Sequence, residues 1–244
     1  MAEEHVSPLH QFMIERIVPL HVGGIDISYS NSALFMTISV VLITLFTVLS
    51  MSGAGLVPTR WQSMAELSYE FIANMIRDNV GSAGRPYFPF IFSLFMFVLF
   101  GNLIGMVPFT FTYTSHIAVT FALALFIFIG VTLIAIARHG LHFFSYFAPK
   151  GVPWVMLLLL VPIEIVSYLI RPMTLAIRLF ANMMAGHTML FIFAGFVTAL
   201  GIFGILPLAF NMFFILLELL VAVLQAYVFT ILTCIYLHDA IHLH

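Results

Sequence analysis

The chain of 244 residues is 63% hydrophobic and only 7% charged, and its mean hydropathy is +1.16. Soluble domains contain about 25% charged residues, so this composition predicts an integral membrane protein. The net charge is −2 and the eight Lys and Arg residues are scattered, which offers no basic surface for nucleic acid. The apolar runs are too long for the alternating strands of a membrane β-barrel, so we expect an all-α fold.

The apolar runs predict the order of the membrane elements along the chain. Residues 1–31 are polar enough to form an N-terminal extramembrane arm, and residues 32–244 are expected to form a single helical membrane domain. Crossing a hydrocarbon core of about 30 Å takes about 20 apolar residues. About five to six membrane helices are therefore expected, with spans at about 32–52, 88–107 and 117–137 and a C-terminal hairpin of 153–200 and 207–238.

Residues 61–80 differ from these runs because apolar and polar side chains separate onto two sides of a helix. One face holds Met64, Leu67, Phe71 and Met75, and the other holds Glu66, Glu70, Asn74 and Arg77. This pattern predicts an amphipathic helix that lies at the membrane interface.

The Lys and Arg residues of the short loops predict the orientation of the chain. Loops rich in these residues stay in the cytoplasm. The basic residues are Arg60, Arg77 and Arg85 in the 53–87 loop and Arg138 and Lys150 in the 138–152 loop, whereas residues 108–116 contain none. We therefore expect the N-terminus and the 201–207 turn outside, and the C-terminus in the cytoplasm.

The segment 153–200 is too long for an upright membrane helix. As one continuous helix it would extend about 70 Å, more than twice the thickness of the hydrocarbon core. It must therefore break into pieces or lie steeply tilted, and Pro162 and Pro172 are possible kinks.

Polar side chains form two stripes along the last two apolar segments. A cation in a membrane helix costs about 2.5–3.5 kcal/mol on insertion scales, so Arg178 is expected to have a task or a partner. At about 100° per residue, one helical face holds Glu164, Ser167, Arg171, Thr174, Arg178 and Asn182. The second stripe holds Asn211, Glu218, Gln225 and Tyr236.

An antiparallel hairpin about the 201–207 turn would bring the two stripes together. Equal depth along the hairpin places Arg178 beside Gln225, and it places His187 beside Glu218 nearer the outside. His187 lies roughly opposite Arg178 on an ideal helix, so the contact with Glu218 is expected to need a twist or a break near Gly186.

These side chains have the chemistry of a proton path. Burial can bring the titration of His and Glu near physiological pH, so His187 and Glu218 could take a proton from water and release it. Arg does not deprotonate in proteins, so Arg178 would be a fixed positive charge between two proton half-paths. Two ligands do not make a metal site, and the single cysteine, Cys234, excludes every Cys-based site, so we expect no metal and no cofactor.

Other interpretations of the polar residues remain open at this point. Hydrogen bonds between helices could account for Asn182, Thr174 or Gln225, and Glu164 with Arg171 could form a structural ion pair. A structural membrane scaffold would use the stripes only to join helices. A self-contained cation/proton antiporter would show inverted repeats with paired broken helices, and the sequence shows no such repeat.

The segment Arg178-Leu-Phe-Ala-Asn-Met-Met-Ala-Gly-His187 resembles the a subunit family of F-type ATP synthases, also called subunit 6. Glu218 and the segments 101–108 and 224–236 fit the same family, and the resemblance covers most of residues 30–238. The sequence departs from some bacterial members of the family, which carry an acid at the position of His187 and a His at the position of Glu218.

The resemblance implies the proton-translocating stator subunit of the Fo sector, which abuts a ring of c subunits and joins b-type peripheral stalk subunits in the F1Fo complex. Two offset half-channels would load and unload a carboxylate of the ring, and the last two helices would form a tilted hairpin. Proton flow would thereby drive ring rotation and ATP synthesis. The subunit itself would be no enzyme, and we favour a bacterial inner membrane over a mitochondrial one.

The resemblance also implies roles for single residues. Arg178 matches the family's essential arginine, which faces the passing carboxylates of the c ring. Residues of the outer half-channel would be His187, Glu218 and Gln225, and those of the inner half-channel and ring interface would be Glu164, Arg171, Thr174 and Asn182. Tyr236 is a further candidate for the proton path, and His116 could substitute for loop acids that other bacterial members carry.

Overall fold

Six α-helices account for most of the described chain. The computed structural model describes residues 12–242 except 20, 23–24, 27, 54, 56, 108–109, 141–142 and 144–153. The helices are α1 (Asn31–Met51), α2 (Arg60–Asn79), α3 (Phe88–Gly105), α4 (Ile117–His139), α5 (Trp154–Ala199) and α6 (Ile205–Ile241). Short 3-10 helices cover Ser82–Tyr87, Tyr113–Ser115 and Gly201–Gly204. Among the predicted features, residues 1–11 of the arm and Lys150 lie outside the described residues.

Five helical stretches are long and apolar enough to cross a membrane within the described residues. They are Asn31–Met51, Ser82–Gly105, Ile117–His139, Met156–Ala199 and Gly201–Ile241. The all-α membrane fold expected from the sequence is thereby confirmed. Each span is set by a predominantly apolar run, because a helix satisfies its own backbone hydrogen bonds where no water can.

Helix α2 is the one α-helix of the described chain that is not among these spans, and it has two apolar surfaces. Its buried residues are Gln62, Ala65, Ile72, Met75 and Ile76. Met64, Leu67 and Phe71 of the predicted apolar face are exposed instead. An outward apolar stripe is what an interfacial helix would present to lipid.

The N-terminal arm folds back on the start of α1. Short antiparallel strands pair in it, β1 (Arg16–Val18) with β4 (Tyr29–Ser30) and β2 (His21–Val22) with β3 (Ile25–Asp26). Asn31 anchors the arm, since its Nδ2 donates to the Met13 carbonyl at 3.1 Å and its Oδ1 accepts from the Glu15 N–H at 3.3 Å. This hairpin was not expected from the sequence.

The core lies where α3, α4, α5 and the second half of α6 pack together. Its fully buried side chains include Ile91, Ile127, Leu175, Leu179 and Phe229. Asn102 of α3 joins this core by a polar contact, because its Nδ2 donates to the Ala222 carbonyl of α6 at 3.2 Å. The first halves of α5 and α6 leave much of their apolar surface uncovered.

Helix α5 is continuous and turns sharply into α6. Its 46 residues include Pro162 and Pro172 and extend about 69 Å. The expected break or twist at Gly186 was wrong, because the helix passes through this residue without interruption. The turn relies on Gly201, whose φ of +55° is a conformation that residues with a Cβ rarely adopt. A helix of this length cannot stand upright within a core about 30 Å thick, so it must tilt or extend beyond it.

Candidate functional site

His187 of α5 and Glu218 of α6 form a buried pair. His187 Nδ1 lies 2.7 Å from Glu218 Oε1, and the two side chains are 11% and 4% exposed. The contact predicted from the hairpin register is confirmed. It brings together two groups that both exchange protons, away from bulk water.

Gly186 explains how the pair forms without a break in α5. A Cβ at this position would lie 2.7 Å from Glu218 Oε1 and 3.0 Å from its Cδ. The carboxyl group therefore packs against bare backbone, which lets it reach the ring of the next residue. The sequence indicated that Gly186 mattered, but the physical reason is a close approach and not a distorted helix.

Thr112, in the loop between α3 and α4, contacts the other nitrogen of the ring. Its Oγ1 lies 2.8 Å from His187 Nε2 and also 3.0 Å from the Gly105 carbonyl oxygen. Gly105 makes room for it, since a Cβ there would lie 2.6 Å from Thr112 Cγ2. Sequence reasoning missed Thr112. The alternation of threonines at 110, 112 and 114 after the second span was the available signal.

A cavity of about 500 Å³ opens beside this pair, and we call it the outer cavity. Its polar lining groups come from Thr110, Thr112, His187, Asn211 and Glu218. Phe12 of the arm covers one side, with its ring stacked on His187 at 6.3 Å between centroids. The cavity exceeds by far the space that one water molecule needs, and polar atoms converge on it.

A second pocket of about 210 Å³ lies on the other side of Glu218, and we call it the connecting pocket. It reaches Asn182, whose Nδ2 donates to Gln225 Oε1 at 2.8 Å. The expected neighbour of Gln225 was Arg178; its hydrogen-bond partner among the described residues is Asn182, and the equal depth of Arg178 and Gln225 stays a prediction. Asn182, one turn further along α5, faces α6, whereas Arg178 points outward.

Buried polar atoms without a hydrogen-bond partner mark the line between these spaces. Within the described residues they include Asn211 Oδ1, both carboxyl oxygens of Glu218 and Gln225 Nε2, on residues spaced by seven along α6. Buried polar groups in proteins are nearly always satisfied, by protein or by ordered water. A file of water along this stripe would satisfy the polar atoms of all three residues.

Arg178 lies on the exposed side of α5. No residue of the described chain forms a hydrogen bond or an ion pair with it. Small exposed side chains flank it on the same helical face, namely Thr174, Ala181 and Ala185. A permanent cation is thus presented on a surface that another helix could approach closely.

Arg171 has a different environment, which we call the Arg171 cluster (Tyr168, Arg171, Tyr236 and Asp239). Arg171 Nη1 donates to Asp239 Oδ2 at 3.1 Å. The guanidinium also lies 5.6 Å from the centroid of the Tyr168 ring and 5.2 Å from that of Tyr236. Asp239, at the end of α6, was missed by sequence reasoning, which considered Glu164 as the partner. Within the described residues Glu164 has no ion pair, so that alternative was wrong.

The remaining predicted residues occupy less distinctive positions. Thr174 is exposed and donates to the Arg171 carbonyl at 3.0 Å, and Glu164 is half-buried. His116 stacks on Phe111 at 5.0 Å between centroids and does not line the outer cavity. Burial lowers the pKa of His116 below its usual value, which favours the neutral ring. Its role as a substitute acid stays a prediction.

Known proteins resemble this chain over nearly its whole length. A family model described as the ATP synthase A chain matches residues 33–238. Proteins named ATP synthase subunit a from Paramagnetospirillum magneticum, Pelagibacter ubique and Rhodospirillum rubrum are 58%, 56% and 54% identical. In each case 98% of this chain is aligned, with 99%, 98% and 99% of the relative.

The chain belongs to the ATP synthase A chain family. Membership confirms the function expected from the sequence, that of the proton-translocating subunit of the ATP synthase membrane sector. It makes the protein a component of a larger complex, and the bacterial relatives support a bacterial inner membrane. Within the described residues of this family member, no group of three or more His, Cys, Asp or Glu could hold a metal ion.

Proposed function

We propose that the chain provides two offset half-channels that meet a rotating ring of c subunits. The observation that carries this proposal is the buried His187–Glu218 pair, because Glu218 lines both the outer cavity and the connecting pocket. Arg178, unpaired in the described chain, precedes His187 by nine residues on α5. Protons would enter through one half-channel, neutralise a carboxylate on the ring and leave through the other after rotation. Proton flow would thus be coupled to rotation and ATP synthesis.

The outer half-channel would run from the outer cavity to Gln225. Glu218 lines both the outer cavity and the connecting pocket, so a proton on its carboxyl group has access to both. Asn182, which the resemblance assigns to the inner half-channel and ring interface, is bonded to Gln225 and would continue the polar line from here to the exposed side of α5 that meets the ring. Water beside these groups would carry the proton between them, as buried polar atoms in roomy cavities commonly bind water.

The exposed side of α5 around Arg178 would be the surface that meets the ring. A passing ring carboxylate is the natural partner for a cation that the described chain leaves without one, and it would stay ionised beside it. Because Arg178 cannot release its own proton, it would also prevent a direct leak between the half-channels. Exposed apolar side chains such as Ile177 and Leu220 would pack on the ring helices.

The inner half-channel would lie toward the other end of the hairpin. Glu164, Arg171 and Thr174 occupy that part of α5, and Tyr236 faces it from α6 in the Arg171 cluster. The half-buried Glu164 is the titratable group best suited to release protons there. A b-type peripheral stalk would hold the subunit against ring rotation, and the chain itself would carry out no covalent chemistry.

The loops support the orientation expected from the sequence. Phe12, Thr112 and the α5–α6 hairpin all contribute to the outer cavity, so the arm and the α3–α4 loop share one end of the molecule. Helix α2 with Arg60 and Arg77, and the end of α4 with Arg138, would lie at the other end in a chain of five crossings. We assign that basic end to the cytoplasm.

ATP-driven proton pumping by vesicles that carry the assembled complex tests the proposal. Glu218→Gln keeps the shape of the side chain but cannot bind or release a proton, and we expect pumping per assembled complex to fall more than about tenfold. Glu70→Gln is the matched control, because Glu70 is an exposed carboxylate of α2 that lines neither the outer cavity nor the connecting pocket.

Normal pumping in Glu218→Gln complexes would contradict the proposal. A scaffold that uses its polar stripes only to join helices predicts the reverse pattern: fewer assembled complexes, with normal pumping in each. Assembly is therefore measured on the same vesicles by quantifying the chain against the other subunits.

A further inference from the structure

The Thr112 hydroxyl lies within hydrogen-bond distance of two groups but has only one proton to donate. The two groups are the Gly105 carbonyl oxygen at 3.0 Å and His187 Nε2 at 2.8 Å. A carbonyl oxygen can only accept, whereas an imidazole nitrogen can donate or accept. The partner that Thr112 donates to therefore decides the protonation of the histidine ring.

The position of Gly105 resolves this choice. It is the last residue of α3, so its carbonyl has no intrahelical partner. Among the described residues, the Thr112 hydroxyl is its hydrogen-bond donor. Thr112 is also buried, at 4% exposure, and leaving a buried carbonyl unpaired is costly. The hydroxyl therefore donates to the Gly105 carbonyl, and its oxygen accepts a hydrogen bond from the Nε2–H of His187.

We infer that Thr112 is a positioning residue that keeps the Nε2 of His187 protonated, so that only its Nδ1 exchanges a proton with Glu218. This inference rests on the proposed proton path. Nδ1 lies 2.7 Å from Glu218 Oε1, close enough for one proton to pass between the two groups. The pair is either a neutral imidazole with a protonated carboxyl or an imidazolium with a carboxylate.

A consequence follows for the route of the proton. A relay through the ring would need Nε2 to be unprotonated, so that it can accept a proton from the outer cavity while Nδ1 gives one up. Thr112 blocks that step, because its own proton is donated to Gly105 and cannot be passed on. The proton must instead arrive at and leave from the Glu218 carboxyl group, whose two oxygens are buried and have no hydrogen-bond partner in the described chain.

The surroundings of the pair agree with this route. Glu218 borders both the outer cavity and the connecting pocket, whereas His187 borders only the outer cavity. His187 is thus placed beside the path, where it can hold the shared proton and stabilise a carboxylate. Among the described residues that line either space, no other side chain is ionisable.

Nitrogen-15 solid-state NMR of the assembled complex tests the inference directly. The His187 signals are assigned by difference from a His187→Gln sample. We expect Nε2 to carry a proton in the wild-type complex. In Thr112→Val the ring is released, and we expect a neutral ring protonated at Nδ1, with its N–H donated to the Glu218 carboxylate. Thr112→Ser, which keeps the hydroxyl, should retain the wild-type signals.

Thr120→Val is the matched control. Thr120 is a buried threonine of α4 that donates to the His116 and Ile117 carbonyls, and it lines neither the outer cavity nor the connecting pocket. We expect its NMR signals to match those of the wild type. An unprotonated Nε2 in the wild-type complex would overturn the inference without any variant, and so would wild-type signals in Thr112→Val.

Pumping by the same samples separates this inference from the proposed function. Loss of one positioning hydrogen bond should lower pumping about three- to tenfold in Thr112→Val, with little change in Thr112→Ser and Thr120→Val. We also expect Glu218→Gln to lose more activity than His187→Gln. If Glu218→Gln is inactive while Thr112→Val pumps normally, the positioning role is wrong and the proposed function stands. If Glu218→Gln pumps normally, the proposed function itself fails.

Discussion

Arg171 and Arg178 lie seven residues apart on one polar stripe of α5, yet their surroundings differ completely. Arg171 is three-quarters buried, bonded to Asp239 and placed between two tyrosine rings. Arg178 is exposed, flanked by small residues and without an ionic partner in the described chain. Membership of the stripe therefore does not determine the role of each arginine. The role depends on the side chains that face the arginine from neighbouring helices.

The difference separates two uses of a cation in a membrane protein. Where α6 supplies a carboxylate, the arginine joins the two long helices at one end of the hairpin. Where α6 supplies only neutral groups, and Gln225 is already bonded to Asn182, the arginine turns outward. The cost of an unpaired cation at membrane depth is then acceptable only if another subunit provides the counter-charge.

Replacing each arginine by lysine should give the largest contrast. In Arg178→Lys we expect ATP-driven pumping to fall more than about tenfold, because one ammonium group cannot reproduce the planar fork of donors toward a moving carboxylate. Arg171→Lys should retain most pumping, since a lysine can still pair with Asp239. Equal activity of the two variants would remove the distinction between the two sites.

Two separate glycines of α5, Gly186 and Gly195, test whether the buried side of this helix depends on close packing. In Gly186→Ala the added Cβ would displace the Glu218 carboxyl group, so we expect pumping per assembled complex to fall about tenfold. Gly195→Ala is the control, because its Cβ would meet nothing within 4 Å. Comparable losses in both variants would show that helix flexibility matters and not the position of Glu218.

Removing the arginine of the paired site should affect stability more than transport. Arg171→Ala leaves Asp239 without its cation, and we expect a loss of about 1–3 kcal/mol in unfolding free energy. The double variant Arg171→Ala/Asp239→Ala should lose less than the sum of the single changes. Thermal denaturation of the detergent-solubilised complex measures both. Strictly additive losses would show that the ion pair contributes nothing by itself.

The smallest effect is expected at the edge of the Arg171 cluster. The Tyr168 hydroxyl lies 2.7 Å from Thr132 Oγ1 of α4, so Tyr168→Phe should cost about 1 kcal/mol and leave pumping unchanged. Thermal denaturation and the pumping assay together check this. A loss of pumping as large as that of Arg178→Lys would place Tyr168 in the proton path.

Hydrophobic periodicity, together with the matching of residues at equal depth on the two arms of the hairpin, predicted much of this arrangement. The apolar runs predicted the membrane helices, since a span depends on local sequence alone. The hairpin register predicted the His187–Glu218 contact, because two long antiparallel helices joined by a short turn have little freedom to slide. The expected break in the helix at Gly186 was wrong, but the sequence did identify Gly186 as the position on which the contact depends.

Contacts between distant segments were beyond this reasoning. Thr112 reaches His187 from a loop whose path depends on how α3 and α4 pack, and no periodicity reports that. Asp239 was overlooked because it lies at the end of α6, beyond the last apolar turns. Whether Asn182 or Arg178 contacts Gln225 depends on the crossing angle of α5 and α6, because the two residues are only about one helical turn apart on α5.

The most direct test is proton pumping by vesicles that carry the assembled complex, with Arg178→Ala compared against the wild type and assembly measured on the same sample. Removing the unpaired cation should abolish pumping in complexes that assemble normally, because a ring carboxylate would lose the charge that keeps it ionised. Normal pumping per assembled complex would contradict the account and assign Arg178 a structural role.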